Sequence, residues 1–476
     1  MASKKADFGA MKTPARSNFH LDNSLRAHLE TNADVVTVIS KPVPQKLVGA
    51  LSAKSERPIL FENVVEYPGF RVLDIMLKHR DLQARALGVS EDDYLKTLAY
   101  RLRQPPRGFK TVEDGPVREV ILTGDDVDLT RLPILKHASD VDPALGTMVF
   151  MRDPDTGFHN TMHCYTTVTG RNTGNGLFLT PHCVQILQKW IDRGADEMPI
   201  AYVIGVPPAC EIMANFSGLH MDIWGEADMF GTIMDQDFET VRCETVDLEV
   251  PAHAEIVLEG VVNLKQRELQ SGGPTPLMYR IPRESLQPVI NFTAITMRAD
   301  QPIYRNYQTT PQTDHQVIPR LCHEAILYNR LTEVGVPVKD IRFPTFGGAM
   351  SCILQLAELP RDGMINDALM MMMSCPWNNA KMSVAISADT DISSAAAVYH
   401  AIATRCDPAR DMFIVDRTRG SLWDPSAAPI AGDPVGHRVV GKVGIDATIK
   451  GRHDTTDFEL AWPEGWDEAH LADYLD

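Results

Sequence analysis

The sequence predicts an α/β chain in three parts: an N-terminal α/β portion (1–110), a strand-dominated middle (111–312) and a C-terminal α/β part (337–476), the last entered through one helix (313–336). Three observations carry this. Strand-like and helix-like runs alternate up to the break Gln104-Pro105-Pro106-Arg107-Gly108-Phe109-Lys110. Beyond it come short runs, most of them rich in β-branched residues and set apart by turn residues, with few helices between them, as in a barrel or a sandwich. The alternation returns after residue 337.

Taken in order, Leu21, Leu25 and Leu29 recur at every fourth position and predict a short amphipathic helix over 20–31. Residues 35–39 and 59–65 read as strands. Tyr94, Leu95, Leu98 and Leu102 form an apolar helix face that must stop before Pro105-Pro106. The middle part has strands at 120–123, 147–151, 161–169, 200–206, 256–264 and 289–297, with helical segments at 182–193 and near 219–234. Val317, Leu321, Ile326, Leu327 and Leu331 keep a helical period over 314–334. Strands at 351–356, 382–386 and 412–415 and helices at 365–373 and 395–405 complete the C-terminal part. The methionine run 370–373 reads as adaptable core or interface packing. The acidic tail beyond Arg452 offers Trp462 and Trp466 as anchors for a neighbour.

The chain has 476 residues, 44% of them hydrophobic, enough for a buried core in two or three domains. Its net charge of −17 argues against nucleic acid and anionic membranes as partners. An anionic small ligand needs only one local cationic or metal site. No apolar run approaches the roughly 18 residues of a membrane span. Lys4 and Lys5 are not followed by a signal-peptide core, so a cytoplasmic protein is expected. The eight cysteines form no CxxC pair and read as reduced thiols.

The stretch that organises the chain is 159–183, HNTMHCYTTVTGRNTGNGLFLTPHC. It reads as a long hairpin turning at Gly170 and again at Gly174 and Gly176, with Asn160 at one end and His182 at the other. Glu226 arrives later. An amide oxygen, an imidazole and a carboxylate suit a hard divalent cation such as Mn²⁺ or Mg²⁺, with phosphate oxygens completing its shell. On spacing alone these are also ordinary turn and capping residues. The run 170–176 lacks a phosphate loop's Gly-Lys-Ser/Thr ending and reads as a hairpin turn, with Arg171 free to face a ligand.

Five stretches resemble the UbiD-type decarboxylases, which use prenylated flavin mononucleotide. They are Asp128-Leu129-Thr130-Arg131-Leu132-Pro133-Ile134, the hairpin from Asn160 to His182, Gly205-Val206-Pro207-Pro208-Ala209, the run from Cys243 through Ala252 to Gly260, and Lys442-Val443-Gly444-Ile445-Asp446-Ala447-Thr448. The resemblance implies a split β-barrel that holds the flavin, a connecting helix and a C-terminal α/β oligomerisation domain, assembled as a homodimer or homohexamer. It implies that Asn160, His182 and Glu226 bind the metal, that Thr161 and Met162 join them around the cofactor, and that K⁺ sits nearby on backbone oxygens. Cys183 is the alternative to His182, but thiolate suits a hard cation poorly. The flavin would come from a flavin prenyltransferase. The reaction implied is non-oxidative, reversible decarboxylation of an aromatic or conjugated acid.

The departures matter as much. The family's Arg, five residues after the metal Asn, is here Tyr165. Its two-carboxylate loop is here Ser271-Gly272-Gly273-Pro274-Thr275-Pro276-Leu277, and its Lys near the flavin phosphate is Ala396. Some acid must still return a proton after CO2 leaves. The nearest replacements are Tyr165, His163 and His220. Gly272 and Gly273 are expected to leave room for a bulky substrate such as an aryl-CoA thioester, as in phthaloyl-CoA-type decarboxylases. A non-catalytic subunit of a multi-subunit carboxylase is the alternative reading, and a flavin reductase a more distant one.

Overall fold

Period-two burial decides the architecture of the middle of the chain. On the strand Ala144–Arg152, Leu145, Val149 and Met151 join one apolar cluster while Met148 and Phe150 join another. Ile200, Tyr202 and Ile204 separate from Ala201 and Val203 in the same way on Glu197–Ile204. Strands apolar on both faces must be covered on both faces. The chain achieves this by closing a barrel around one cluster and laying helices over the other. The computed structural model describes residues 23–474 except 138–141, 179, 217–223, 271–272, 274, 280–284, 308–310, 312, 349, 360, 362, 375–379, 422, 432–437, 452–453 and 467.

The barrel runs Ile256–Gln270, Glu197–Ile204, Ala144–Arg152, His159–Val168, Thr173–Gly176 and Ser285–Met297, and the last pairs back with the first. All neighbours are antiparallel. The two longest strands extend past the expected 256–264 and 289–297 and bend at register shifts after Glu259 and Val262.

The N-terminal sheet holds Thr37–Ile39, Ile59–Phe61 and Arg71–Asp74, and its fourth strand, Ile303–Arg305, comes from the chain just before the long helix. That helix, Asp314–Glu333, matches its sequence pattern and is capped reciprocally by Thr313 and Gln316. The C-terminal sheet orders Val338–Arg342, Ser351–Leu356, Met382–Ile386, Arg438–Ala447 and Met412–Gly420, with parallel central pairings and helices Met364–Ser374 and Ala395–Arg405.

Several elements escaped the sequence pattern. The helix Arg80–Leu87 buries Arg80 and Gln83, so it shows no clean apolar stripe; Arg80 meets Glu324 at 2.9 Å. The strand Arg438–Ala447 carries Gly441 and Gly444, and the space over Gly444 is filled by the Phe413 ring. Trp462 and Trp466 stack on each other at 4.5 Å and are both exposed. Met372 and Met373 are buried while Met370 is exposed. The seven described cysteines are free. Among the described residues no helix is long and apolar enough to cross a membrane.

One buried cation joins these parts. Arg305 meets Glu211 through two bonds of 2.9 and 2.8 Å, Asp314 at 2.5 Å and Asp74 at 3.6 Å, all four side chains being at most 3% exposed. Asp314 also accepts from Met76 N and Leu77 N at 2.5 and 2.8 Å. Between these anchors Ile75 takes φ +61°, a left-handed conformation that a β-branched residue adopts only under constraint. Burial, reinforced by Asp314 and Asp74 and opposed by Arg305, raises the Glu211 pKa to about 7. Its folded pKa lies above its unfolded one, so its contribution to stability is complete at low pH and is lost as pH rises through 7. Arg305→Met strands buried carboxylates and is expected to cost about 3–5 kcal/mol in urea unfolding. Glu211→Gln is expected to flatten the decline in stability between about pH 4.5 and pH 7 in the same measurement.

Candidate active site

Asn160, His182 and Glu226 reach one point from three directions. Asn160 is the second residue of the strand His159–Val168. His182 lies in the first turn of the helix Pro181–Asp192, where Pro181 fixes the start. Glu226 leads into the short turn Ala227–Met229. Asn160 Nδ2 donates to one Glu226 oxygen, and His182 Nδ1 contacts the other. The three residues are 4, 7 and 3% exposed. Asn160 Oδ1 is buried with no hydrogen-bond partner among the described residues. No three His, Cys, Asp or Glu side chains gather among the described residues, so any metal centre here needs that amide oxygen. Cys183 turns into the barrel's apolar cluster, and burial pushes its pKa well up.

The two faces of His159–Val168 do different things. Met162 and Cys164 face the barrel interior, and Met162 accepts a contact from Thr180 Oγ1 at 3.0 Å. Thr161, His163, Tyr165 and Thr167 share the opposite face. His163 stacks on Tyr307 at 3.8 Å, and Tyr307 meets His315 edge-on at 5.5 Å. Tyr165 packs 5.8 Å from His137. Asn215 Nδ2 donates to His163 Nδ1 at 2.6 Å, which leaves the His163 proton on Nε2. Burial first, then the charge of Arg305, holds the His163 pKa well below the ordinary range. Burial likewise takes His137 to about 4 and His315 to about 3. Arg320, on the same helix as His315, is lowered to about 10 by burial and stays cationic at neutral pH. Thr161 Oγ1, Thr167 Oγ1 and His159 Nε2 join Asn160 Oδ1 as buried atoms without partners among the described residues. Such a row along one strand is costly unless a polar ligand completes it.

Two family models match this chain. One, for the 3-octaprenyl-4-hydroxybenzoate carboxy-lyase Rift-related domain, covers residues 110–311; the other, for the carboxy-lyase C-terminal domain, covers 316–447. The chain belongs to the UbiD family of carboxy-lyases. It is a decarboxylase of that family. An anhydromevalonate phosphate decarboxylase of Methanothermobacter thermautotrophicus is 31% identical over 67% of this chain and 73% of its own length. A pyrrole-2-carboxylic acid decarboxylase of Pseudomonas aeruginosa is 28% identical over 82% of this chain and 84% of its own. The UbiD-class enzyme HmfF of Pelotomaculum thermopropionicum, solved with FMN, superposes with a TM-score of 0.84 at 30% identity, covering 95% of this chain and 100% of that one. An evolved dimeric form of the same enzyme was solved with prFMN.

Two of the UbiD-like stretches carry scaffold contacts. Glu255 is fully buried, grips Arg26 through two 2.9 Å bonds and accepts from Ile303 N. Glu259 accepts from Glu244 N and Thr245 N at 2.8 and 2.7 Å. Lys442 donates to the Met373 carbonyl at 2.9 Å. One expectation needs correction. Gly174 and Gly176 are strand residues, not turns; a side chain on either would strike Thr167 O or Ile290 at 2.8 Å. Arg171 is exposed and pairs with Asp128. Ala396 is exposed on the C-terminal helix. At Gly273 a Cβ would sit 2.6 Å from Tyr165 Cζ, so the Tyr165 ring lies directly over that glycine. His220, Ser271, Gly272 and Pro274 lie outside the described residues. His137, Asn215, Tyr307, His315 and Arg320 escaped the sequence reading; the helical pattern scored only apolar positions and passed over His315 and Arg320. Gly273→Ala is expected to push the Tyr165 ring from its seat with little loss of overall stability, measured as altered turnover beside an unchanged urea midpoint.

Proposed function

We propose that this chain is a non-oxidative, reversible decarboxylase of a small aromatic or heteroaromatic acid that uses prenylated FMN. The observation that carries the reading is the convergence of Asn160, His182 and Glu226 in a buried, partly unsatisfied cluster on a fold shared with an FMN-bound enzyme. These three would hold a divalent cation, Mn²⁺ or Mg²⁺, against the flavin phosphate. The amino end of Pro181–Asp192 adds its own preference for an anion. K⁺ would sit beside it on backbone oxygens. Prenylated flavin, when bound, supplies an electron sink for the pair left behind as CO2 departs.

The chain's own residues do the rest. The recess between the outer face of His159–Val168 and the helix Asp314–Glu333 receives the acid. His163, His137 and His315 are held neutral there and offer polar contacts without competing charge. Arg320 supplies the cation that the Tyr165 position lacks and attracts the substrate carboxylate. With His163 neutral, the Tyr165 phenol returns the proton to the reacting carbon and is left as the phenolate until solvent reprotonates it, while the His163 Nε2–H donates a hydrogen bond to the substrate. The Tyr165 ring over Gly273 favours a compact acid over an aryl-CoA thioester. Exposed Ile414 and Val415 on the edge strand Met412–Gly420 support assembly of a homodimer or homohexamer through the C-terminal part.

Glu226→Ala is expected to abolish flavin retention after co-expression with a flavin prenyltransferase, while circular dichroism stays that of the folded chain. Full flavin occupancy in that variant would refute the metal assignment. A wild-type chain that stays colourless under the same conditions would be a non-catalytic subunit. Tyr165→Phe and His163→Ala are expected to slow solvent-proton exchange at the reacting carbon by about 10²-fold or more; unchanged exchange in both removes the pair.

A further inference from the structure

We infer that Asp228, together with His159, is a positioning residue that fixes two of the three candidate metal ligands relative to each other. The inference rests on the metal reading above. Asp228 Oδ2 accepts from Gly225 N at 2.9 Å and from His159 N at 3.2 Å. Asp228 Oδ1 accepts from His159 Nδ1 at 2.9 Å. Gly225 immediately precedes Glu226, and His159 immediately precedes Asn160. One carboxylate therefore ties the backbone behind the Glu ligand to the backbone behind the Asn ligand, across 66 residues of sequence between those two side chains.

Two further contacts tighten the joint. Gly225 lies flat against the His159 backbone, and a Cβ on it would run into the His159 carbonyl. The His159 ring rests against Phe109 at 4.8 Å, so its Nδ1–H is held toward Asp228. Without the clamp, Glu226 sits on a loop that follows residues 217–223 and has no strand of its own. A metal site needs its ligands held to a few tenths of an ångström, and outer partners of this kind commonly decide affinity. Asp228 and His159 also wall a cavity of about 420 Å³ lined by Arg107, Phe109, Phe158 and Trp224. Truncating Asp228 therefore admits water instead of opening a void in the apolar core.

The test is a Mn²⁺ titration followed by electron paramagnetic resonance, with FMN present, on the full chain and on Asp228→Ala, Asp228→Asn and His159→Phe. Asp228→Ala is expected to weaken Mn²⁺ binding by about 10–100-fold, with the metal-free melting temperature within a few degrees of wild type. Asp228→Asn keeps an oxygen that accepts from both backbone N–H groups and is expected to restore most of the affinity. His159→Phe keeps the ring against Phe109, loses one bond and should fall between. Wild-type affinity in Asp228→Ala, or no recovery in Asp228→Asn, overturns the clamp. If Glu226→Ala loses Mn²⁺ while Asp228→Ala does not, the clamp alone falls. If the wild-type chain takes up no Mn²⁺, the metal reading falls and the clamp with it.

Discussion

A single guanidinium decides where the parts of this molecule sit. Arg305 ends the last strand of the N-terminal sheet, and its carboxylate partners come from the exit of another strand of that sheet (Asp74), the helix Pro208–Met213 (Glu211) and the first residue of the long helix (Asp314). Three buried carboxylates against one cation would be unstable if all were ionised. The excess is relieved by a proton on Glu211 near neutrality and by backbone N–H groups donating to Asp314 and Asp74. The result is a joint with little freedom, since moving any partner leaves a buried charge unpaired. Because Asp314 is fixed in this joint, the turns that follow it are fixed as well. His315 comes next in the chain, and Arg320 and His323 lie one to three turns on. The joint thereby brings His315 to the barrel strand, where Tyr307 packs between it and His163.

The strand's side of that packing comes from barrel closure. Since both faces of the barrel strands are buried, the register of His159–Val168 is strongly specified, and a one-residue slip would exchange its faces. The register places Met162 and Cys164 in the core and His163 and Tyr165 against Tyr307 and His137. Asn160 shares the parity of the core residues but stands at the strand's start, where the barrel ends and Glu226 and His182 arrive. One strand thus serves a polar cluster at its end and, on its outer face, a set of rings packed against His137 and Tyr307.

How much of this could be read from the sequence follows from the same geometry. Strands such as Ser351–Leu356 and Met382–Ile386, the helix Ala395–Arg405 and the long helix announce themselves through periodic apolar side chains. Elements stabilised by buried polar groups do not, and Arg80–Leu87 is the clearest instance. At the candidate site, Asn160, His182 and Glu226 were legible only through resemblance to a family, since nothing in their spacing forces them together. His137, Tyr307 and His315 were invisible because each joins the cluster around His163 and Tyr165 through a tertiary contact. Gly273 was legible as a departure, but a sequence does not show that the Tyr165 ring comes to lie over it.

That last pairing bears on how the chain departs from its relatives' pattern. An Arg at position 165 would extend toward the ligand, and the carboxylates of the loop around 273 would balance it. With Tyr165 lying over Gly273, neither charge is present, so the two changes are coupled: a Cβ at 273 excludes the ring, and a ring at 165 excludes a carboxylate side chain at 273. A buried cation stands instead on the long helix, at Arg320 near Tyr307, and its position descends from the Arg305 joint. On the reading proposed here, charge has moved from the barrel strand to the helix, and the pocket's remaining polar groups are neutral imidazoles and phenols. A strand-borne Arg–Glu pair couples carboxylate binding to proton return through one salt bridge. Once the cation sits on another element, the two tasks separate: Arg320 answers to the joint that positions its helix, and Tyr165 answers to the barrel register.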